Sequence, residues 1–195
     1  EMESHGRDAA IKADAECIIA LGGGSVLDTS KIIAAAVKLP KIPVEALLLK
    51  FLAVPGGTMP LITIPTTAGT GAEATVGAVT TNTKTQTKTS TVIVGLNVPA
   101  VILDSELTLH APKKITVSCG IDALSHGIEG CLADVRSSRD DQTKSLTCIK
   151  LVFDNLPKLI DNPEDIAARE AMSLAAFYGG NAINKQLAGY VHAFA

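Results

Sequence analysis

An α/β nucleotide-binding domain with a Rossmann-like parallel sheet, followed by an all-α helical domain, is the fold class this sequence predicts. Three observations carry the prediction. Residues 17–37 run in the order apolar strand, glycine turn, helix, which is half of a βαβ unit and favours parallel strands. Two further short apolar runs, at 60–65 and 98–104, have the length of strands. After Leu107 the β signal fades and 3.6-residue periodicity dominates to the end of the sequence.

Taken in order, the chain opens on a polar helical pattern in which Ala9, Ala10, Ile11 and Ala13 lead toward the first strand. Cys17-Ile18-Ile19-Ala20-Leu21 is too brief for a helix and β-branched enough for a buried strand. Gly22-Gly23-Gly24-Ser25 follows as a turn. Val26 to Val37 reads as a helix, with Val26, Ile32, Ile33 and Ala36 apolar and Asp28 and Lys31 polar. Pro60 to Pro65 reads as a second buried strand, ended by the glycine- and threonine-rich stretch 66–75. Thr80 to Thr91 alternates Thr with Lys, Asn and Gln, as a polar hairpin turning near Asn82 does. Val98 to Asp104 is the third strand, with Asp104 capping the turn that follows. Three helices then span 115–133, 145–160 and 165–182. Asp161 and Asn162, ahead of Pro163, suit a turn and an N-terminal cap. Phe177 and Tyr178 are expected in the helical core. A boundary near residue 108 divides the chain into 1–107 and 108–195.

The bulk composition narrows the function classes. The 195 residues are 47% hydrophobic and 19% charged with a net charge of −3, enough to build a core and unlike a disordered chain. No basic stripe is present, which excludes nucleic acid as the expected partner. No apolar run reaches the length of a membrane-spanning helix, so no membrane partner is expected. Cys17, Cys119, Cys131 and Cys148 show no C-x-x-C pairing and no disulfide spacing, and are expected as buried or half-buried thiols in a reducing compartment. No signal-peptide pattern opens the sequence, and a cytoplasmic location is expected. Both ends read as internal to a longer protein: Glu1 enters a helical pattern directly, and Ala193-Phe194-Ala195 stops inside one.

Three segments carry chemistry. A Gly-Gly-Gly-Ser turn between strand and helix exposes main-chain N–H groups at the positive end of the helix, an arrangement that cradles phosphate. It is neither G-x-G-x-x-G nor a Walker loop, and a tight turn without ligand has the same look. Thr66-Thr67-Ala68-Gly69-Thr70-Gly71-Ala72-Glu73 offers hydroxyls and N–H groups to a ribose or diphosphate. A Thr-capped helix start with Glu73 in its first turn fits it too. Asp122 and His126 stand one helical turn apart on a single face, the spacing of two ligands on one divalent cation and also of a surface hydrogen bond. His192, far downstream, is a third candidate ligand. Glu129 reads as a residue that supports the ligands or lies on the helix surface, and His110 as a loop residue.

Together these motifs resemble the iron-containing (group III) alcohol dehydrogenase family. The residues that carry the resemblance are Gly22-Gly23-Gly24-Ser25-Val26-Leu27-Asp28 with Lys31, then Pro65 to Glu73, then Gly120-Ile121-Asp122-Ala123-Leu124 with His126 and Glu129. It covers essentially the whole chain and is nearest to lactaldehyde reductase-like and 1,3-propanediol or butanol dehydrogenase-like members. The resemblance implies a dehydroquinate synthase-like architecture whose helical domain binds metal. It implies that Gly23 and Gly24 bind the cofactor diphosphate, with Ser25 alongside and Asp28 in the same motif. Thr66, Thr67 and Thr75 match positions that line the adenosine and nicotinamide ends, and Lys88 matches a cofactor-contacting lysine after the hairpin. Asp122 and His126 match the first two metal ligands and His192 the third. A fourth histidine ligand and the first βαβ unit are expected outside residues 1–195. Ala72 departs from the serine common in relatives.

The implied function is a metal-dependent, NAD(P)-linked alcohol dehydrogenase or aldehyde reductase, with NAD or NADP as cofactor and a small alcohol or aldehyde as substrate. Fe²⁺ is the implied metal, with Zn²⁺, Co²⁺ or Mn²⁺ as alternatives, and a homodimer is the implied assembly. The alternatives are a polyol dehydrogenase, a maleylacetate reductase or a phosphate-eliminating synthase on the same scaffold, or an inactive truncated nucleotide-binding remnant. The segment Thr66–Glu73 favours the alcohol dehydrogenase branch.

Overall fold

The computed structural model describes residues 2–48, 51–82, 86–133, 137–184, 189 and 192. These residues form two compact units, one from Glu1–Ile64 with Val76–Ile102, the other from Pro65–Thr75 with Leu103–Ala195. The first unit holds helices α1 (Met2–Lys12), α2 (Gly24–Lys38) and α3 (Val44–Leu47). Its strands are β1 (Ile18–Gly22), β2 (Phe51–Ala53), β3 (Leu61–Pro65), β4 (Gly77–Asn82), β5 (Thr87–Val94) and β6 (Ala100–Val101). They form two sheets, ordered β1-β3-β6 and β2-β5-β4.

The three strands expected from the sequence share the first sheet, in which β3 and β6 run parallel with Ile62 opposite Ala100. Two expectations are corrected. The first run is not buried on both faces: β1 buries only Ala20, while Ile19 and Leu21 are 64% and 54% exposed. The third strand is two residues long, because Asp104 already caps a 3₁₀ turn by accepting the Glu106 N–H at 3.0 Å. The polar hairpin is present and longer than its Thr pattern shows, pairing Gly77 with Val92 and Asn82 with Thr87. Its residues 83–85 lie outside the described ones. Strand β2 and helix α3 had no sequence expectation. Pro40, Pro43, Pro55, Gly56 and Gly57 divide that stretch into pieces shorter than any periodicity.

Helix α2 organises this unit. Its apolar stripe carries Ile32, Ala35 and Ala36 into a core with Val44, Leu47, Leu52, Ala78 and Ile93. At its start a Cβ on Gly22 would sit 2.7 Å from Val26 Cβ, so only glycine lets the strand turn this sharply into the helix. Lys31, fully buried, reaches Asp28 Oδ1 at 3.0 Å and the Gly77 carbonyl at 2.5 Å. The other Asp28 oxygen accepts the Val79 N–H at 2.9 Å. This ion pair ties α2 to β4.

The second unit has helices α4 (Lys113–Leu132), α5 (Arg139–Asp161) and α6 (Ile166–Ile183), with 3₁₀ turns at Ala72–Ala74 and Ser105–Thr108. Helix α5 starts earlier than its apolar stripe, because Ser138 and Asp141 close a capping box. The cap of α6 is Asp165, which accepts the Ala168 N–H at 3.0 Å, and not Asp161 or Asn162. The core runs through Ala123, Cys148, Val152, Leu156, Met172 and Ala175, with Tyr178 partly buried against it. Phe177 is half-buried, edge-on to Tyr178. Cys148 fits the expectation of a buried thiol, whereas Cys17 is exposed. No helix among the described residues is long and apolar enough to cross a membrane.

Removing Asp28 strands a buried ammonium, so Asp28→Ala is expected to cost about 3 kcal/mol of stability in urea denaturation. The double variant Asp28→Ala/Lys31→Met should recover most of that loss. A single variant as stable as wild type would show that the pair does not anchor α2.

Candidate metal centre

Helix α4 brings Asp122, His126 and Glu129 onto one face in successive turns, at spacings of four and three. The packing around this face leaves no room for side chains. A Cβ on Gly179 of α6 would lie 3.0 Å from His126 Cβ, and one on Gly69 would lie 2.5 Å from Cys119 Cβ. The stretch 65–75, which interrupts the strands of the first unit in sequence, therefore lies directly on α4. His126 is buried and Asp122 half-buried.

His192 completes the cluster. Its Nε2 is 3.4 Å from Asp122 Oδ1, and the Nε2 of His126 is 3.8 Å from the same oxygen. The two imidazole rings stack nearly parallel, 7° apart, with centroids 4.6 Å apart. One donor atom from each of the three residues lies within 4.8 Å of the others. These separations exceed the usual hydrogen-bond length of about 2.7–3.2 Å. They approach the roughly 3–3.5 Å between neighbouring donors on one cation with ligand distances near 2.1 Å. The donor set of one carboxylate and two imidazoles suits a first-row divalent metal.

The electrostatics favour the same reading. Burial pushes the His126 pKa below its ordinary value, more than the opposing charge of Asp122 restores it. His192 lowers it further, while Glu129 and a weak main-chain interaction at Gly69 raise it. The ring is thus held neutral, with a lone pair to donate, and its buried Nδ1 makes no hydrogen bond of ordinary geometry. Burial and then the charge of Asp122 push the thiol of nearby Cys119 above its ordinary pKa, while Thr67 opposes them.

Glu129 is the residue whose part the sequence left undecided. It is buried, and its Oε2 receives His192 Nδ1 at 2.8 Å and the Gly189 N–H at 2.9 Å. A 3.6-residue count from Asp122 and His126 puts Glu129 on their face, but nothing in the sequence shows that it meets residues 60 and more positions away. The rest of the segment around His192, namely Tyr190, Val191 and Ala193 to Ala195, lies outside the described residues.

The other expected site residues fall in both units. In the first, Gly23 is the N-cap of α2 and no side chain caps the helix, so the N–H groups of Gly24 and Ser25 have no helical partner. Ser25 is exposed. Asp28 uses both oxygens on Lys31 and Val79, which makes it an internal tie on this geometry. Lys88 is exposed on β5. In the second unit Thr66, Thr67 and Thr75 are half-buried. Thr67 lies near enough to the Cys119 thiol to lower its pKa, and Thr75 Oγ1 donates weakly to the Ala72 carbonyl at 3.5 Å.

Comparison with known proteins agrees with this geometry. The family model for iron-containing alcohol dehydrogenase matches residues 1–105, and that for the C-terminal part of the Fe-containing alcohol dehydrogenase family matches residues 116–195. Sulfoacetaldehyde reductase of Bilophila wadsworthia is 35% identical over 97% of this chain and 48% of its own length. The NAD-dependent methanol dehydrogenase of Bacillus methanolicus is 33% identical over 96% of this chain and 48% of its own. The crystal structure of sulfoacetaldehyde reductase from Bifidobacterium kashiwanohense in complex with NAD⁺ superposes with a TM-score of 0.90 at 34% identity, covering 98% of this chain and 50% of that one. The chain thus spans about half the length of the relatives it matches.

A histidine with a lowered folded pKa resists the proton that the unfolded ring accepts near 6.5. Stability of the metal-free protein is therefore expected to fall as pH drops through and below that value. His126→Gln should flatten this acid limb in urea denaturation measured across pH. An acid limb identical in both proteins would contradict the burial argument.

Proposed function

The chain belongs to the iron-containing alcohol dehydrogenase family, and on that premise we propose that it supplies the cofactor- and metal-binding residues of an NAD(P)-linked alcohol dehydrogenase or aldehyde reductase. The observation that carries the proposal is the convergence of Asp122, His126 and His192. In this reading the three residues hold Fe²⁺, and the same donors also accept Zn²⁺, Co²⁺ or Mn²⁺. A divalent metal there supplies Lewis-acid polarisation of the oxygen of a small alcohol or aldehyde. The free N–H groups of Gly24 and Ser25 at the start of α2 receive the dinucleotide diphosphate, helped by the helix dipole. Thr66, Thr67, Thr75 and Lys88 contribute further contacts to NAD or NADP.

The protein's task is mainly placement. Asp122 gives the centre one negative charge, and the two neutral imidazoles add donors without adding charge. No side chain would need to act as nucleophile, because a bound nicotinamide cofactor would supply the hydride chemistry. The relatives, a sulfoacetaldehyde reductase and an NAD-dependent methanol dehydrogenase, support a small alcohol or aldehyde as substrate class. A homodimer in a reducing cytoplasm belongs to the same reading, with four free cysteines in keeping with that compartment.

Two variants separate the halves of the proposal. Asp122→Ala is expected to lose bound metal and dehydrogenase activity while retaining NAD(H) affinity in calorimetric titration. Gly24→Val is expected to keep bound metal but to lose NAD(H) affinity and with it dehydrogenase activity, since its branched side chain fills space the diphosphate needs. Equal metal content in wild type and Asp122→Ala would refute the metal assignment, and unchanged dinucleotide affinity in Gly24→Val would refute the phosphate site.

A further inference from the structure

We propose that Glu129 is a positioning residue for the metal centre: one buried carboxylate oxygen seats the third ligand, His192, and fixes which of its nitrogens faces Asp122. The inference rests on the metal reading given above and extends it to a residue that touches no metal.

The geometry is specific. Oε2 of Glu129 accepts two hydrogen bonds, from His192 Nδ1 at 2.8 Å and from the Gly189 N–H at 2.9 Å. The first holds the ring and the second holds the main chain three residues before it. A single oxygen on α4 therefore anchors both the position and the orientation of a ligand that arrives from more than sixty residues away in sequence. Gly189 is part of the device. A Cβ at that position would approach Glu129 Cδ and Oε1 to 3.1 Å, and glycine lets the main chain come close without displacing the carboxylate.

The chemistry follows from the acceptor. A carboxylate oxygen accepts only, so the His192 proton sits on Nδ1 and the lone pair on Nε2. Nε2 is the nitrogen 3.4 Å from Asp122 Oδ1. The opposite tautomer would turn a proton toward the centre and a lone pair toward a carboxylate, and both contacts would be lost. A buried negative charge behind the ring also makes Nε2 a stronger donor, the usual effect of a carboxylate behind a ligating histidine. Glu129 is only 9% exposed, so the accepting end of both bonds is largely shielded from bulk water. Ligand Asp122, ligand His126 and anchor Glu129 thus lie along one helix face, and the third ligand is delivered to that face by hydrogen bonds.

Co²⁺ titration followed by visible absorption and calorimetry tests this. Glu129→Ala is expected to bind Co²⁺ about 10–100-fold more weakly than wild type. Glu129→Gln keeps an acceptor oxygen without the charge, and should recover part of the loss and shift the Co²⁺ spectrum. In a His192→Ala background, Glu129→Ala should cost no further affinity, because its target is already gone; a merely structural carboxylate would cost the same in both backgrounds. Should Glu129→Ala prove unstable, the Gln variant alone decides, and wild-type affinity with a wild-type spectrum overturns the proposal. Wild-type Co²⁺ affinity in both Glu129 variants with loss in Asp122→Ala overturns the positioning role and leaves the metal reading standing. Absence of Co²⁺ binding in the wild-type protein overturns both.

Discussion

The candidate centre depends on main chain meeting main chain in the helical unit. Gly71 adopts a left-handed conformation at φ +58°, and a Cβ there would lie 2.6 Å from the Ala176 carbonyl and 2.7 Å from Gly180 Cα. The contact is reciprocal, since a Cβ on Gly180 would stand 2.5 Å from the Gly71 carbonyl. Gly69 lies in the same way on Cys119 of α4, and Gly179 packs against the side chains of His126 and Cys148. A stretch that leaves β3 is thereby locked between two helices without intervening side chains. Overpacking such a contact by even one methyl typically costs about 1–3 kcal/mol. The small-residue contacts also explain why a polar ring such as His126 is buried: α6 comes close enough to cover it.

Burial then sets the electrostatics. A neutral imidazole survives burial far better than a charged one, and His126 is accordingly held below its ordinary pKa. Asp122 stays half-exposed, where a carboxylate keeps much of its hydration. The centre is therefore a carboxylate oxygen at a partly open edge backed by two stacked rings, with Glu129 behind one of them. In the α/β unit the same logic runs differently. Lys31 is buried outright and is tolerated because Asp28 and the Gly77 carbonyl surround it.

The sequence made the order of elements legible because the decisive signals were local. Strand, glycine turn and helix at 17–38 need only a few neighbouring residues to specify them, and so does the capping residue Asp104. The pair Asp122 and His126 was legible for the same reason, since helical spacing alone puts them on one face. Three things were not local. Exposure of Ile19 and Leu21 depends on what packs over β1, which hydropathy cannot show. The membership of 65–75 in the helical unit depends on Gly71 meeting Gly180, more than a hundred residues on. The anchoring of His192 by Glu129 depends on two distant hydrogen bonds. The resemblance named His192 as a ligand, but the carboxylate that orients it is visible only in three dimensions.

The most direct measurement is X-ray absorption spectroscopy of the protein loaded with Co²⁺ or Zn²⁺. Convergence of Asp122, His126 and His192 on one cation predicts nitrogen and oxygen neighbours at about 2.0–2.2 Å, with the outer-shell scattering of two imidazole rings. Substitution of His192 should remove one ring from that pattern. A spectrum of a fully hydrated ion, or one without imidazole scattering, would contradict the account at its centre.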